Sequence, residues 1–272
     1  MCGKGGKGRR GECGVKLTAE NYYSQEANRE YASCSQWKAF KKCPACAMAE
    51  LRGEWSTPKT PALLIGGYVD AWFEGSLEQF KSANSELFTQ KGVLKKEYLK
   101  AEYIIERVKR DKMFMEYMSG EKQVILTGTV NGVKCKIKID SLDVPNKRFT
   151  DLKVMRDFEP IYDADELGRV PFWIAWDYTA QLGLYKEIIR QNYNTDFEGF
   201  IAAVTKQDEP DLGVFHMSDA EMQNGLERVA ADLPRIDAIK SGILVPENCG
   251  ECNYCRHTKV LTEVIETESY LL

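Results

Sequence analysis

The sequence contains few histidines and lacks a nucleotide-binding loop. Its 272 residues include two histidines, His216 and His257, which leave little material for a histidine-based hydrolase or a zinc catalytic centre. The pattern G-x-x-x-x-G-K-[ST] is absent from the sequence, so the chain carries no ATP-driven motor of the P-loop type. Any chemistry must therefore come mainly from carboxylates, amines and thiols.

Long apolar runs are also missing. No stretch approaches the roughly 18 apolar residues that a membrane helix requires, and no apolar segment follows the basic first ten residues. The sequence thus lacks a signal-peptide pattern, and we expect a cytoplasmic protein that does not contact a membrane. Residues 1–16 are predicted to form a flexible basic tail, and residues 17–272 are predicted to form a single domain.

An excess of positive charge is absent as well, since the net charge is −4. This balance argues against a protein that coats nucleic acid along its whole surface. It is compatible with an enzyme that binds DNA along a local path. The hydrophobic and charged fractions, 43% and 29%, are ordinary for a globular domain.

Hydrophobic periodicity predicts helices around a sheet. The sequence Asn131-Gly132 between two alternating segments predicts a β-hairpin over residues 123–140, and a third strand is expected at 148–154. The expected fold class is α/β (α+β), a central mixed sheet flanked by helices. Further strands are predicted at 199–206 and 213–217, and helices at 35–52, 61–74, 94–119 (as one helix or two), 171–192 and about 218–241.

Two carboxylates and one amine fall on adjacent predicted strands. Asp140 ends the second strand, and Asp151 and Lys153 lie on one face of the third. Carboxylates are the ligands that Mg²⁺ prefers, and the main-chain carbonyl of Leu152 could add a third oxygen. Lys153 could orient a water molecule, stabilise negative charge or accept a proton. This pattern predicts a metal-dependent phosphodiesterase, although a surface ion pair would produce the same short string.

Two further features favour a catalytic site. Gln181 and Tyr185 are four residues apart and therefore share a helix face. Asp70 lies in an otherwise apolar helix just after Gly66-Gly67. An acid in such a segment needs a partner, and a metal ion is one candidate.

Taken in order, these motifs resemble the PD-(D/E)XK nuclease superfamily. Within it, the chain is most similar to phage and bacterial recombination exonucleases related to exodeoxyribonuclease VIII (RecE) and to the nuclease domain of RecB. The matching motifs extend from residue 35 to residue 185. They are Ser35-x-x-Lys38-x-Phe40-x-x-Cys43-Pro44, Gly66-Gly67-Tyr68-Val69-Asp70, Lys138-Ile139-Asp140, Asp151-Leu152-Lys153 and Gln181-x-x-x-Tyr185.

The resemblance implies a restriction-endonuclease-like core and assigns roles to individual residues. Asp140 and Asp151 match the metal-binding acids of the family, and Lys153 matches its catalytic lysine. Asp70 falls where many relatives carry a metal-binding histidine, and a carboxylate suits Mg²⁺ or Mn²⁺ at least as well. These acids and the Leu152 carbonyl form the expected metal site.

Gln181 and Tyr185 match a family motif that supports the active site and contacts DNA. The activity implied by the resemblance is a Mg²⁺-dependent DNA exonuclease of phage or prophage recombination. A single-strand annealing recombinase is the implied partner, and a homo-oligomer is possible. The alternatives are a single-strand exonuclease of the CRISPR-adaptation type, which carries an iron–sulfur cluster, and a catalytically silent DNA-binding scaffold.

The cysteines form a second constellation. Cys249, Cys252 and Cys255 follow the spacing C-x2-C-x2-C, which lets one segment supply three ligands to an iron–sulfur cluster. Cys43 is the leading candidate for the fourth ligand, with Cys34 and Cys46 as alternatives. Some members of the resembling superfamily bind a 4Fe-4S cluster with one cysteine before the nuclease core and three after it. Structural zinc bound by Cys43, Cys46, Cys249 and Cys252 is an alternative, and free reduced thiols are a third.

Overall fold

The computed structural model describes residues 15–163, 167–262, 264 and 267. The predicted basic tail, residues 1–16, lies outside them except for Val15 and Lys16. No helix in the described part of the chain is long and apolar enough to cross a membrane.

A five-stranded mixed sheet forms the centre of the molecule. Its strands are β1 (Glu121–Val130), β2 (Val133–Asp143), β3 (Arg148–Met155), β6 (Glu198–Thr205) and β7 (Leu212–Met217), while β4 (Ile161–Asp163) and β5 (Gly168–Val170) form a separate hairpin. The strand order in the sheet is β1-β2-β3-β6-β7, in which β3 and β6 run parallel and the other neighbours run antiparallel.

Helices cover both faces of this sheet. The helices are α1 (Gln25–Glu30), α2 (Cys34–Lys42), α3 (Pro44–Arg52), α4 (Pro61–Glu74), α5 (Leu77–Ala83), α6 (Leu99–Lys109), α7 (Lys112–Tyr117), α8 (Phe172–Ala175), α9 (Tyr178–Tyr193), α10 (Asp219–Lys240) and α11 (Asn253–Thr258), with short 3₁₀ turns at Ser85–Leu87 and Lys96–Tyr98. One apolar core joins the sheet to α2, α9 and α10, and a second joins it to α4, α6 and α7. The predicted fold class, a mixed sheet flanked by helices, is confirmed.

The predicted hairpin is present and has the expected cause. Asn131 and Gly132 both have positive φ, 46° and 79°, as the tight turn between twisted antiparallel strands requires. Val130 therefore pairs with Val133. The alternation of β2 buries one row of apolar side chains in the core, namely Val133, Cys135, Ile137 and Ile139.

Strands β2 and β3 separate just where the predicted acids lie. Their pairing covers only Ser141–Asp143 and Arg148–Thr150. Nearer the start of β2, Cys135 pairs instead with Ala32, whose N–H donates to the Lys134 carbonyl at 2.8 Å. β3, in contrast, pairs with β6 along its whole length. A gap therefore opens beside Asp140, and it holds the candidate site.

The single helix predicted over residues 35–52 is wrong. The chain forms two helices there, and Cys43 between them adopts an extended conformation with φ −162° and ψ 100°. Pro44 causes the break, since proline has no N–H to donate and disfavours helical geometry in the preceding residue. Proline is well suited to the first turn of a new helix, so Pro44 begins α3.

Candidate active site

The predicted acids and lysine line one cavity of about 310 Å³ at the gap between β2 and β3. Asp140 reaches it from β2, and Asp151 and Lys153 reach it from β3. Asp151 is 2% exposed, and its carboxylate forms an ion pair with the Lys153 ammonium group. The short pattern in the sequence is therefore not a surface ion pair.

Asp140 is held in place by two donors. Its Oδ2 accepts the backbone N–H of Leu152 at 2.8 Å, and its Oδ1 accepts Nε2 of Gln123 at 3.2 Å. The Leu152 N–H has no ladder partner on β2, because the two strands have already separated. The Asp140 carboxylate thus accepts a backbone N–H of β3 that has no partner on β2, and this hydrogen bond fixes it beside Asp151.

Helix α9 brings Gln181 and Tyr185 to the same cavity. Nε2 of Gln181 lies 2.7 Å from Oδ1 of Asp151 and 3.2 Å from the Tyr185 hydroxyl oxygen. The Tyr185 hydroxyl donates in turn to the Lys138 carbonyl at 3.0 Å. The side chains at i and i+4 therefore form a chain of hydrogen bonds that fixes the orientation of Asp151.

The cavity carries an unusual concentration of charge. Burial, together with the nearby Asp151 carboxylate, raises the pKa of Asp140 to about 7. Burial and the charge of Asp140 raise the pKa of Asp70 well above its usual value. Burial alone would lower the pKa of Lys153, but Asp151, Tyr178 and Asp140 outweigh it and raise that pKa. The lysine is therefore held as an ammonium ion among acids that repel one another.

Comparison with known proteins identifies the family of this fold. Residues 33–258 match the model of a family described as "PDDEXK-like domain of unknown function (DUF3799)". The chain belongs to this family, within the PD-(D/E)XK nuclease superfamily. The predicted relationship to that superfamily is confirmed.

A solved structure agrees with this assignment. A crystal structure from Eubacterium rectale, of a protein named "Putative exonuclease", is 45% identical, with a TM-score of 0.90. The match covers 94% of this chain and 98% of that one. A second structure, that of SSO0001, is 14% identical over 81% of this chain and 91% of its own, and its TM-score of 0.31 supports no comparison. No curated protein matches the chain.

The structure brings together all the residues of the predicted catalytic and metal sites. Asp70, carried by α4, lines the same cavity as Asp140 and Asp151, and Leu152 lines it too. The roles of these residues, including that of the Leu152 carbonyl as a metal ligand, stay predictions. Their shared cavity is what those roles require.

The donor set fits a divalent cation. Four carboxylates line one cavity, those of Asp70, Glu74, Asp140 and Asp151, and oxygen ligands of this kind suit Mg²⁺. Oδ2 of Asp151 is buried and, apart from the ion pair with Lys153, has no hydrogen-bond partner among the described residues. A buried carboxylate oxygen with a single ammonium partner, beside carboxyl groups whose pKa values are raised, is an arrangement that a bound cation would stabilise.

Sequence analysis did not predict that Lys38 lies in the cavity beside Lys153. Lys38, on α2, lines the cavity, and its Nζ donates to the Trp176 carbonyl at 2.6 Å. Lys38 and Lys153 each place Nζ within 5 Å of the Tyr178 ring centroid, at 4.9 and 4.7 Å. Lys38 belonged to a matched motif, but nothing in its sequence neighbourhood indicated that it faces the acids.

Other lining residues come from segments without any local signal. Gln123 has a positive φ of 55°, an irregular strand conformation that places its amide against Asp140. Tyr22 and Tyr23 precede α1 and line the cavity with Lys136 and Lys138 of β2. Only tertiary structure shows that Gln123 and the two tyrosines lie beside the acids.

The predicted cysteine site is also brought together. The Sγ atoms of Cys43, Cys249, Cys252 and Cys255 all lie within 4.8 Å of one another. Cys46, a ligand in the zinc alternative, is outside this group. The structure therefore supports the predicted ligand set with Cys255, and the group could hold a metal ion.

Proposed function

We propose that the protein is a Mg²⁺-dependent deoxyribonuclease that hydrolyses phosphodiester bonds at DNA ends. One observation carries the proposal. Asp140, Asp151 and Lys153 meet in a single cavity, with Asp151 oriented by Gln181, in a chain of the PD-(D/E)XK superfamily. The name of the Eubacterium rectale protein, "Putative exonuclease", supports action at ends.

The cation would be held by Asp140, Asp151, the Leu152 carbonyl and Asp70. When bound, Mg²⁺ or Mn²⁺ would activate a water molecule and offset the charge on the phosphate. Lys153, whose pKa is raised mainly by Asp151 against the effect of burial, would stay protonated. It would therefore stabilise the negative charge of the attacked phosphate and orient the water, and it would not act as the base.

The cavity favours a single strand at the moment of cleavage. Tyr23, which lines the cavity and is 69% exposed, offers an aromatic surface on which a base could stack. We infer that a duplex end would have to fray for one strand to enter.

Other implications of the family resemblance are part of this proposal without support from the geometry. They are a role in phage or prophage recombination, a single-strand annealing recombinase as partner, a homo-oligomer and a cytoplasmic location. The catalytically silent scaffold is disfavoured, because the chain retains both acids and the lysine in one cavity.

Digestion of linear and closed-circular duplex DNA with Mg²⁺ tests the proposal. The linear DNA should disappear progressively, and EDTA should stop the reaction. Lys153→Ala should abolish hydrolysis, while Lys112→Ala, which removes an exposed lysine of α7 outside the cavity, should leave it unchanged. A melting curve for each variant separates loss of chemistry from loss of fold.

The other outcomes are equally informative. Equal cleavage of the circular DNA would replace an exonuclease with an endonuclease at the same site. Full activity in a folded Lys153→Ala variant would refute the proposed site. Absence of cleavage of single- and double-stranded DNA with either Mg²⁺ or Mn²⁺ would favour the DNA-binding scaffold.

A further inference from the structure

The four clustered cysteines have a geometry that distinguishes between metal centres. Sγ of Cys43 lies 3.5 Å from Sγ of Cys255, which lies 3.8 Å from Sγ of Cys249. With Cys252 included, the four sulfurs lie within 4.8 Å of one another. All four cysteines are free of disulfide bonds. The sulfurs therefore surround one small volume.

Such spacing matches one ion at the centre of four thiolates. Four sulfurs in a tetrahedron around Zn²⁺, each about 2.3 Å from the metal, are about 3.8 Å apart. In a 4Fe-4S cluster each thiolate binds a different iron, and a cube of four irons and four sulfides separates the ligands. That cube does not fit between sulfurs that are all within 4.8 Å of one another.

We infer that Cys43, Cys249, Cys252 and Cys255 bind a single Zn²⁺ ion and not an iron–sulfur cluster. The inference concerns a site separate from the nuclease cavity, and it does not depend on the proposed function. It also removes the reason to favour the single-strand exonuclease of the CRISPR-adaptation type, which rested on the cluster.

Backbone donors support thiolates at this site. The N–H groups of Cys46, Cys252 and Cys255 donate to the sulfurs of Cys43, Cys249 and Cys252, at 3.4, 3.4 and 3.5 Å. Each donor lies three residues after its acceptor, so each sulfur caps the start of a turn. Four thiolates around one dication leave a net negative charge, and these N–H groups offset part of it.

Cys46 provides an internal control for the ligand set. It lies three residues after Cys43, at the spacing that suggested the zinc alternative, yet it is outside the converging group. Its backbone N–H donates to Sγ of Cys43 and its side chain lies beside Cys252, but its sulfur is not among the four that converge. Replacement of Cys46 should therefore not remove the metal.

The site connects two distant parts of the chain. Cys43 ends α2 and caps α3, while the other three cysteines lie between α10 and the end of α11. The Ala45 N–H also donates to the Glu247 carbonyl at 3.0 Å. Because α2 carries Lys38 into the nuclease cavity, the ion would hold that helix in position from outside the site.

Metal analysis of protein purified without oxygen tests the inference. We expect one zinc and no sulfide per chain, a colourless solution, and four sulfur neighbours in zinc X-ray absorption spectra. Replacement of the zinc by Co²⁺ should give the visible spectrum of a tetrahedral thiolate site. Treatment with ferrous iron and sulfide should not assemble a cluster.

Variants identify the ligands. Cys255→Ser should lose the zinc or bind it far more weakly, and Cys46→Ser should retain one ion per chain. If Cys255→Ser fails to fold, the X-ray absorption spectrum of the wild type still decides the number of sulfur neighbours.

Three results would overturn the inference. They are about four irons with sulfide and a broad absorption near about 400 nm, a single iron in place of zinc, and no uptake of added Zn²⁺ by the reduced, metal-free protein. Nuclease assays play no part in these measurements, so failure of the proposed function would leave the result readable.

Discussion

The side-chain amide of Gln181 donates a hydrogen bond of 2.7 Å to Oδ1 of Asp151. Gln181 thus connects helix α9 directly to Asp151, and the Tyr185 hydroxyl lies 3.2 Å from the same nitrogen. The acid on β3 is therefore oriented by a helix on one face of the sheet. Groups that orient a metal ligand usually affect metal affinity and activity almost as much as the ligand does.

Gln181→Ala should weaken the metal site without unfolding the protein. We expect activity at limiting Mg²⁺ to fall by about 10- to 100-fold, with partial recovery at high Mg²⁺, because Asp151 remains but is no longer oriented. Titration of activity with Mg²⁺ measures this change. Gln223→Ala, at an exposed position of α10, is the control.

Tyr185→Phe distinguishes the hydrogen bond from Gln181 to Asp151 from the one that Tyr185 donates to the Lys138 carbonyl. It removes the bond to the Lys138 carbonyl but leaves Gln181 beside Asp151, so its effect on the Mg²⁺ titration should be smaller than that of Gln181→Ala. An unchanged Mg²⁺ dependence in the Gln181 variant would contradict the orienting role.

Asp140→Asn should abolish activity and stabilise the metal-free protein at pH 8. Burial and the Asp151 charge raise the pKa of Asp140 to about 7, so at pH 8 the folded state holds an unfavourable negative charge. Asparagine removes that charge and can still accept the Leu152 N–H. We expect a gain on the order of 1–3 kcal/mol in the free energy of unfolding.

The pH dependence of the free energy of unfolding tests whether the Asp140 charge destabilises the fold. The unfolded chain loses the Asp140 proton near pH 4, roughly its unperturbed pKa, whereas the folded state retains it up to about pH 7. Its contribution to stability therefore falls as the pH rises from about 4 to 7 in EDTA. Asp140→Asn should remove this decline, and an identical decline in the variant would contradict the prediction.

Asp143, on the same strand as Asp140, is a matched control, because its negative charge should stabilise the fold. Hydrogen bonds from Asn146, and then its pairing with Arg148, lower the pKa of Asp143. Its contribution is present at neutral pH and is lost as the pH falls through the lowered pKa. Asp143→Asn should therefore destabilise the protein at pH 8, where Asp140→Asn stabilises it.

Sequence alone predicted the parts of the site that local patterns encode. Asp151 and Lys153 share a strand face because of the two-residue period, and Gln181 and Tyr185 share a helix face because of the four-residue spacing. Alternation and an Asn-Gly turn predicted β1 and β2 for similar local reasons.

The remainder depends on contacts between segments distant in sequence. Gln123, which itself has a positive φ, reaches Asp140, and helix α2 brings Lys38 into the same cavity. The break at Cys43 was missed because Pro44 can end one helix or begin the next, and packing selects the second. The convergence of Cys43 with three cysteines some 200 positions later likewise requires the folded chain.

Lys38→Met should weaken the contact with DNA. Lys38 lines the same cavity as the acids and is positioned by the Trp176 carbonyl, so its side chain can contact a phosphate bound there. We expect the KM for DNA to rise and the slope of log affinity against log salt to decrease by about 1, as for the loss of one phosphate contact.

Lys41→Met is the matched control on the same helix. Lys41 pairs with Asp177 at 3.4 Å and does not line the cavity, so its replacement should leave the KM nearly unchanged. An unchanged salt dependence in a folded Lys38→Met variant would show that this amine supports the structure and does not bind DNA.

Gly183→Ala should destabilise the protein and displace Gln181. Gly183 lies where α9 and α10 pack most closely, and an added Cβ would be 2.1 Å from the Met222 carbonyl oxygen. Backbone atoms of two helices cannot yield without moving a whole helix, so we expect a loss of about 1–3 kcal/mol or more. Denaturant unfolding measures it.

Gly66→Ala provides the comparison, since a Cβ there meets nothing within 4 Å. In the interior of α4, alanine should stabilise the helix by up to about 1 kcal/mol. The activity of Gly183→Ala should fall even at temperatures where it remains folded, because a shift of α9 moves the amide of Gln181 away from Asp151. If the variant were destabilised but fully active, the position of Asp151 would not depend on the packing of these two helices.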